Sequence, residues 1–184
     1  WPTFGGLLEE NMMDNSYHLF EVNGTRFIII SLQWSPPDEA VVWADKVLRD
    51  FPDRKAIFVT HGYLYHDDTR YDRKKKSALQ RWQPRRNDGE ELWAKLLKKH
   101  PNVFLVLCGH VLEDGQGRLT STGDHGNKVH QILCNYQMLP EGGSGFLRVM
   151  EFLPDGKTIH CKSYSPSRDE YKTDGQNQFT LELE

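Results

Sequence analysis

Apolar residues recur along the chain in short runs broken by turn residues, and two such runs flank Asn23-Gly24. The stretch YHLFEVNGTRFIIISL (17–32) therefore reads as a hairpin, because Asn-Gly accepts the left-handed backbone that a two-residue turn needs. Pro36-Pro37-Asp38 predicts the start of an amphipathic helix running to about Asp50, since proline suits a first helical turn. Its apolar positions Val41, Val42, Trp43, Val47 and Leu48 leave a charged opposite face. AIFVTH (56–61) and VFLVLC (103–108) read as short buried strands. Between them lie a polar loop from Gly62 to about Asn87 and a helix over about Asp88–Lys99, acidic at its start and basic at its end. Farther on, Gly-rich turns separate strand-like runs at about 129–136, 146–153, 157–164 and 178–183. The pattern predicts one domain over 1–184, of the α/β class, with crossover helices followed by antiparallel strands.

Composition narrows the class. Residues of hydrophobic type make up 38% of the 184, with five Trp, which is too apolar for a disordered polymer. The runs FIII and VFLVLC are far short of the roughly 20 residues that span a bilayer, so no membrane span is expected. A net charge of −3 argues against a general nucleic-acid binder. Cys108, Cys134 and Cys161 form no CxxC and no disulfide framework, and the first two end apolar runs as core residues would. The chain opens WPTFGG, with no Met, basic n-region or apolar h-region, so a removed leader or an absent upstream piece is expected. The compartment stays open.

The chemistry centres on two histidines. AIFVT ends in His61 and VFLVLCG ends in His110. A strand–helix–strand crossover makes its two strands parallel, so both C-terminal ends point to the same sheet edge. Parallel neighbours lie about 4.8 Å apart. Two imidazoles at such ends can converge on one metal, whose bonds to nitrogen are about 2.0–2.1 Å long. Open sheets also place their sites outside the carboxyl ends of strands.

THGYL after one buried strand, LCGH after the next, and the run GHVLEDGQGRLTSTGDHGNKVHQILCNYQ resemble the second half of the calcineurin-like metallophosphoesterases. The resemblance covers most of residues 17–165. It implies the C-terminal part of such a domain, a layered sheet sandwich, and metal-dependent hydrolysis of a phosphate mono- or diester by two divalent ions (Zn, Mn or Fe). On that pattern His61 closes the middle motif, His110 is the first His of Gly-His-x-His, and both bind the same metal. Two departures stand out. Leu112 replaces the second His of Gly-His-x-His, and the Asp-x-His, Gly-Asp-x-x-Asp and Gly-Asn-His motifs are absent from residues 1–60. The catalytic residues and most ligands are therefore expected upstream or on a complementary chain. A catalytically degenerate, phosphoesterase-like binding module is the alternative.

Asp124, His125 and Asn127, in TGDHGN, sit between glycines ahead of a strand. They are candidates for metal or substrate oxygen, or for a turn that hydrogen-bonds its own backbone. In His66-Asp67-Asp68 a solvated polar loop is the simpler reading, and His130 is a strand-face residue. The stretch RYDRKKKSALQRWQPRR (70–86) carries +7 while the rest of the chain carries −10. Since it links the two His-bearing strand ends, Lys74, Lys75, Lys76, Arg81 and Arg85 are candidates to draw in a phosphate substrate, and Trp82 to stack on a ring. A solvated charge run is the plain alternative.

Overall fold

The computed structural model describes residues 1–75 and 86–183. Strands β1 (Phe4–Glu9), β2 (Met12–Val22) and β3 (Thr25–Leu32) form an antiparallel meander. Asn23 and Gly24 turn β2 into β3 with φ of 50° and 77°, the left-handed backbone that asparagine tolerates and glycine, without a Cβ, adopts freely. Helix α1 (Asp38–Asp50) carries the chain to β4 (Lys55–Thr60), parallel to β3. Helix α2 (Gly89–Lys95) and a 3₁₀ turn (Leu97–Lys99) lead to β5 (Val103–Cys108), parallel to β4. Then β6 (Gln116–Thr122) and β7 (Lys128–Cys134) form a hairpin whose second strand pairs in parallel with β5. The seven strands lie in the order β1-β2-β3-β4-β5-β7-β6. A second, antiparallel sheet has β9 (Thr158–Ser165) at its centre. On one side lies β8 (Leu147–Phe152); β10 (Glu170–Lys172) and β11 (Gln178–Glu182) follow one another along the other.

The expected α/β fold, a layered sandwich of crossover helices followed by antiparallel strands, is overturned. Among the described residues 43% lie in strands and 17% in helices, so this is a β-rich fold with a seven-stranded mixed sheet and a second sheet. Much of the difference lies in edge strands. FGGLLE and QGRLTST carry weak strand patterns, and each is held by a single neighbour, β2 or β7. The predicted helix over 88–99 also shortens, becoming 3₁₀ from Leu97.

Alternation along the central strands builds two cores. Ile28, Ile30, Leu32, Ala56 and Phe58 meet Ala40, Ala44, Val47 and Leu48 of α1 and Leu92 of α2. On the opposite face, Phe27, Ile57, Phe104, Leu105 and Ile132 pack against Ile159, Cys161 and Leu181 of the second sheet. Phe104 and Leu105 share that face because the β4–β5 register slips by one residue after Ala56. The cover is incomplete. Val59, two residues beyond Ile57 on an interior strand, is 37% exposed.

Helix α2 begins with a reciprocal cap: Asp88 accepts from the Glu91 amide at 2.9 Å, and Glu91 accepts from the Asp88 amide at 3.0 Å. Gly89 is needed there, because a Cβ would sit 2.5 Å from the Tyr63 carbonyl oxygen. This close approach seats the segment after β4 on the start of α2. No helix among the described residues is long and apolar enough to cross a membrane.

Candidate functional site

Strands β3, β4 and β5 are parallel neighbours, so their C-terminal ends share one edge. Each delivers an aromatic ring just beyond its end: Trp34, His61 and His110. The Nε2 of His61 lies 2.9 Å from the Nδ1 of His110, with the ring centroids 4.5 Å apart. Two nitrogens bound to one metal at about 2.0–2.1 Å stand about 2.9 Å apart at a right angle and about 3.3 Å apart at a tetrahedral angle. The same spacing suits a hydrogen bond between two neutral imidazoles, one donating and the other accepting. Partial desolvation, then the neighbouring His61, hold the His110 pKa below the ordinary imidazole value. A neutral ring keeps the lone pair that a metal ligand needs.

The backbone at this edge is closely specified. The Gly109 amide donates to the His61 carbonyl at 2.9 Å, tying the two strand ends together. The Val111 amide donates back to the Gly109 carbonyl at 2.8 Å, which makes His110 the centre of a γ-turn with φ of 70°. A non-glycine residue in that region is costly. Trp34 flanks both imidazoles, at centroid distances of 5.3 Å to His61 and 4.8 Å to His110.

The other candidates do not join this pair. Asp124, His125 and Asn127 form the β6–β7 hairpin turn, and β7 runs parallel to β5, so this turn lies at the opposite edge of the sheet. There His125 donates to the Lys99 carbonyl at 3.0 Å and Asp124 pairs with Lys98 at 3.1 Å. The amide of Asn127 donates to the carbonyls of Val103 (2.9 Å) and His100 (3.2 Å). These bonds fasten the turn to the start of β5, and the expectation that it reaches the His61 edge is corrected.

Asp67 accepts from Thr69, and Asp68 from the Arg118 amide at 2.6 Å, within a tight turn. Lys74 and Lys75 are exposed on a 3₁₀ turn (Arg73–Lys75), while Lys76, Arg81, Trp82 and Arg85 lie outside the described residues. Leu112 is exposed just past His110, and an apolar side chain offers a metal nothing. Among the described residues, no group of three or more His, Cys, Asp or Glu side chains is placed to hold a metal ion. The donor set therefore fits two neighbouring ligand positions of a metal, not a whole centre.

His130 is a different kind of histidine. It is buried, its Nε2 faces the Glu182 carbonyl at 2.8 Å and its Nδ1 faces the Thr120 hydroxyl at 2.9 Å. A carbonyl only accepts, so Nε2 carries the proton and Nδ1 accepts from Thr120. Desolvation lowers its pKa, and burial does the same for His100, whose ring faces Asp45 at 2.9 Å. A lowered folded pKa means that the unfolded chain takes up the proton first. The stabilisation is therefore present above the ordinary value near 6.5 and is lost as pH falls from there towards the folded pKa. Melting temperatures should fall between pH 7.5 and 5.5, and less so in His130→Gln. Equal slopes for both proteins would remove His130 from the account.

No family model matches the chain. The sequence is similar to the uncharacterized protein YvnB of Bacillus subtilis (strain 168), with 31% identity over 192 residues. The match covers 98% of this chain and 14% of that protein. The chain thus spans a small part of the relative, whose name assigns no activity.

Proposed function

We propose that this chain supplies two histidine ligands of one metal in a calcineurin-like metallophosphoesterase that hydrolyses a phosphate mono- or diester. The observation that carries the reading is the convergence of His61 and His110, at 2.9 Å, beyond the ends of adjacent parallel strands. A divalent ion (Zn, Mn or Fe) would supply Lewis-acid activation of the phosphate and of the attacking water. The chain's own part is to hold two neutral imidazoles in fixed relation, on strand ends that the Gly109–His61 backbone bond ties together. The reading assigns the remaining ligands to an N-terminal segment or a complementary chain. The uncovered face at Val59, near the same edge, leaves room for such a piece. Phosphate attraction by Lys74 and Lys75 belongs to the same proposal.

Leu112, where the pattern has histidine, favours a second reading: a binding module that keeps one metal position and has lost turnover. Calorimetric titration with zinc or manganese tests what the two share. His61→Ala should weaken binding beyond the about 10–100-fold typical of losing an outer-shell partner. An unchanged isotherm in that variant would overturn both readings. Ready hydrolysis of a nitrophenyl phosphate ester by the 184 residues alone would overturn the assignment of the remaining ligands elsewhere.

A further inference from the structure

Trp34 has no part in the ligand set, yet it touches both of its members. It stands two residues past the end of β3, as His110 stands two past the end of β5, with His61 between them at the end of β4. The indole meets the His61 ring nearly edge to face, at 66°, and the His110 ring at 51°. With the imidazoles 4.5 Å apart, the three rings close a triangle. Tilted packing of this kind sets the electron-rich face of one aromatic ring against the positive edge of its neighbour. That interaction strengthens when the imidazole gains positive character.

The other end of the indole shows what the ring is placed for. Its Nε1 is buried and makes no hydrogen bond among the described residues. It lies against Gly62, where a Cβ would sit 3.4 Å from it, and the Tyr71 ring crowds the same point. A buried Trp N–H normally finds an acceptor. Here the ring is seated by packing against its neighbours instead. Its contact with both imidazoles limits their rotation, and the backbone alone would not set their side-chain torsions.

We propose that Trp34 is a positioning residue that keeps the nitrogens of His61 and His110 convergent, and that its fluorescence reports occupation of the pair. The inference rests on the metal-ligand reading for its second half only. The test uses the 184-residue chain with Trp34→Phe and Trp34→Ala, each checked for an intact fold by its melting curve.

In metal-free protein, the nuclear Overhauser contacts between the His61 and His110 rings should weaken in Trp34→Ala and persist in Trp34→Phe, whose phenyl still packs beside them. Unchanged contacts between the two rings in Trp34→Ala would overturn the positioning role, whatever metal does. With nickel, Trp34→Ala should bind about 10–100-fold more weakly, as expected when support of a ligand is lost. Trp34→Phe should bind within a few-fold of wild type. Nickel should quench part of the wild-type emission and lose that part in Trp34→Phe, although calorimetry still records binding; persistence of the quench there would overturn the reporter role. If wild type and His61→Ala give the same nickel isotherm while the metal-free contacts between the rings weaken in Trp34→Ala as expected, the metal reading fails and the positioning role stands.

Discussion

Replacing Arg70 by Met should lower the stability of the chain by about 3 kcal/mol, the scale of loss when a buried donor that serves several polar partners is removed. Although it opens the basic stretch, Arg70 is 8% exposed. Its Nε donates to Gln131 Oε1 at 2.6 Å and to the Tyr63 hydroxyl at 3.0 Å; its Nη2 donates to Ser121 Oγ at 2.5 Å. Its Nη1 faces Glu90 at 3.3 Å, and the guanidinium lies 4.2 Å over the Trp93 ring. Methionine fills much of the volume but removes one of the two donors that reach Gln131 Oε1, which is fully buried, and one of the two that reach Ser121 Oγ. At 184 residues, 1 kcal/mol shifts a melting point by about 2–4 °C, so the variant should melt about 6–12 °C lower. Lysine should not rescue it, because one ammonium cannot reproduce the planar fork that reaches four partners. Urea denaturation gives the number directly. A loss below about 1 kcal/mol would show that the network is replaced by solvent. The consequence reaches the histidine edge, since Tyr63, fixed by this network, stands two residues after His61.

Arg70 also shows where sequence reading stops. Counted as a charge, it belongs to the cationic loop; in the fold it is an internal pin, and Arg73 pairs with Asp88 and Glu91. Composition cannot separate a cation that faces a phosphate from one that faces a buried glutamine. Elements with strong local signals were legible: the Asn23-Gly24 hairpin, the helix after Pro37, and the apolar strands β4 and β5. The β-rich balance of the fold was not, because β1 and β6 take their hydrogen bonds from a neighbour and carry polar or glycine-rich sequence.

Missing β6 had a further cost. Without its hairpin partner, the direction of β7 is undetermined, and the TGDHGN turn cannot be assigned to an edge. His61 and His110 were legible because each closes an apolar run. Trp34 was not, since an aromatic residue after a strand reads as ordinary core until two imidazoles are found against it.

His110→Gly should abolish the ligand and leave the fold as stable as wild type or slightly more so, which separates the two demands placed on this residue. The side chain is held at φ of 70°, where a non-glycine residue costs about 1–2 kcal/mol and glycine costs little. His110→Ala removes the same ring but keeps the Cβ that makes this backbone expensive. Metal affinity should fall by the same factor in both variants, on the order of 100-fold or more, because each leaves His61 as the single imidazole of the pair. Stability should differ between them, with glycine ahead by about 1 kcal/mol once its greater freedom in the unfolded chain is counted. Calorimetry with zinc reads the first quantity and urea denaturation the second. If His110 were a structural residue that merely abuts His61, the metal isotherms of wild type and both variants would coincide. If the γ-turn were unstrained, alanine would be the more stable of the two. The combination of lost binding and retained or improved stability is the signature of a residue kept in a costly conformation for what its imidazole does.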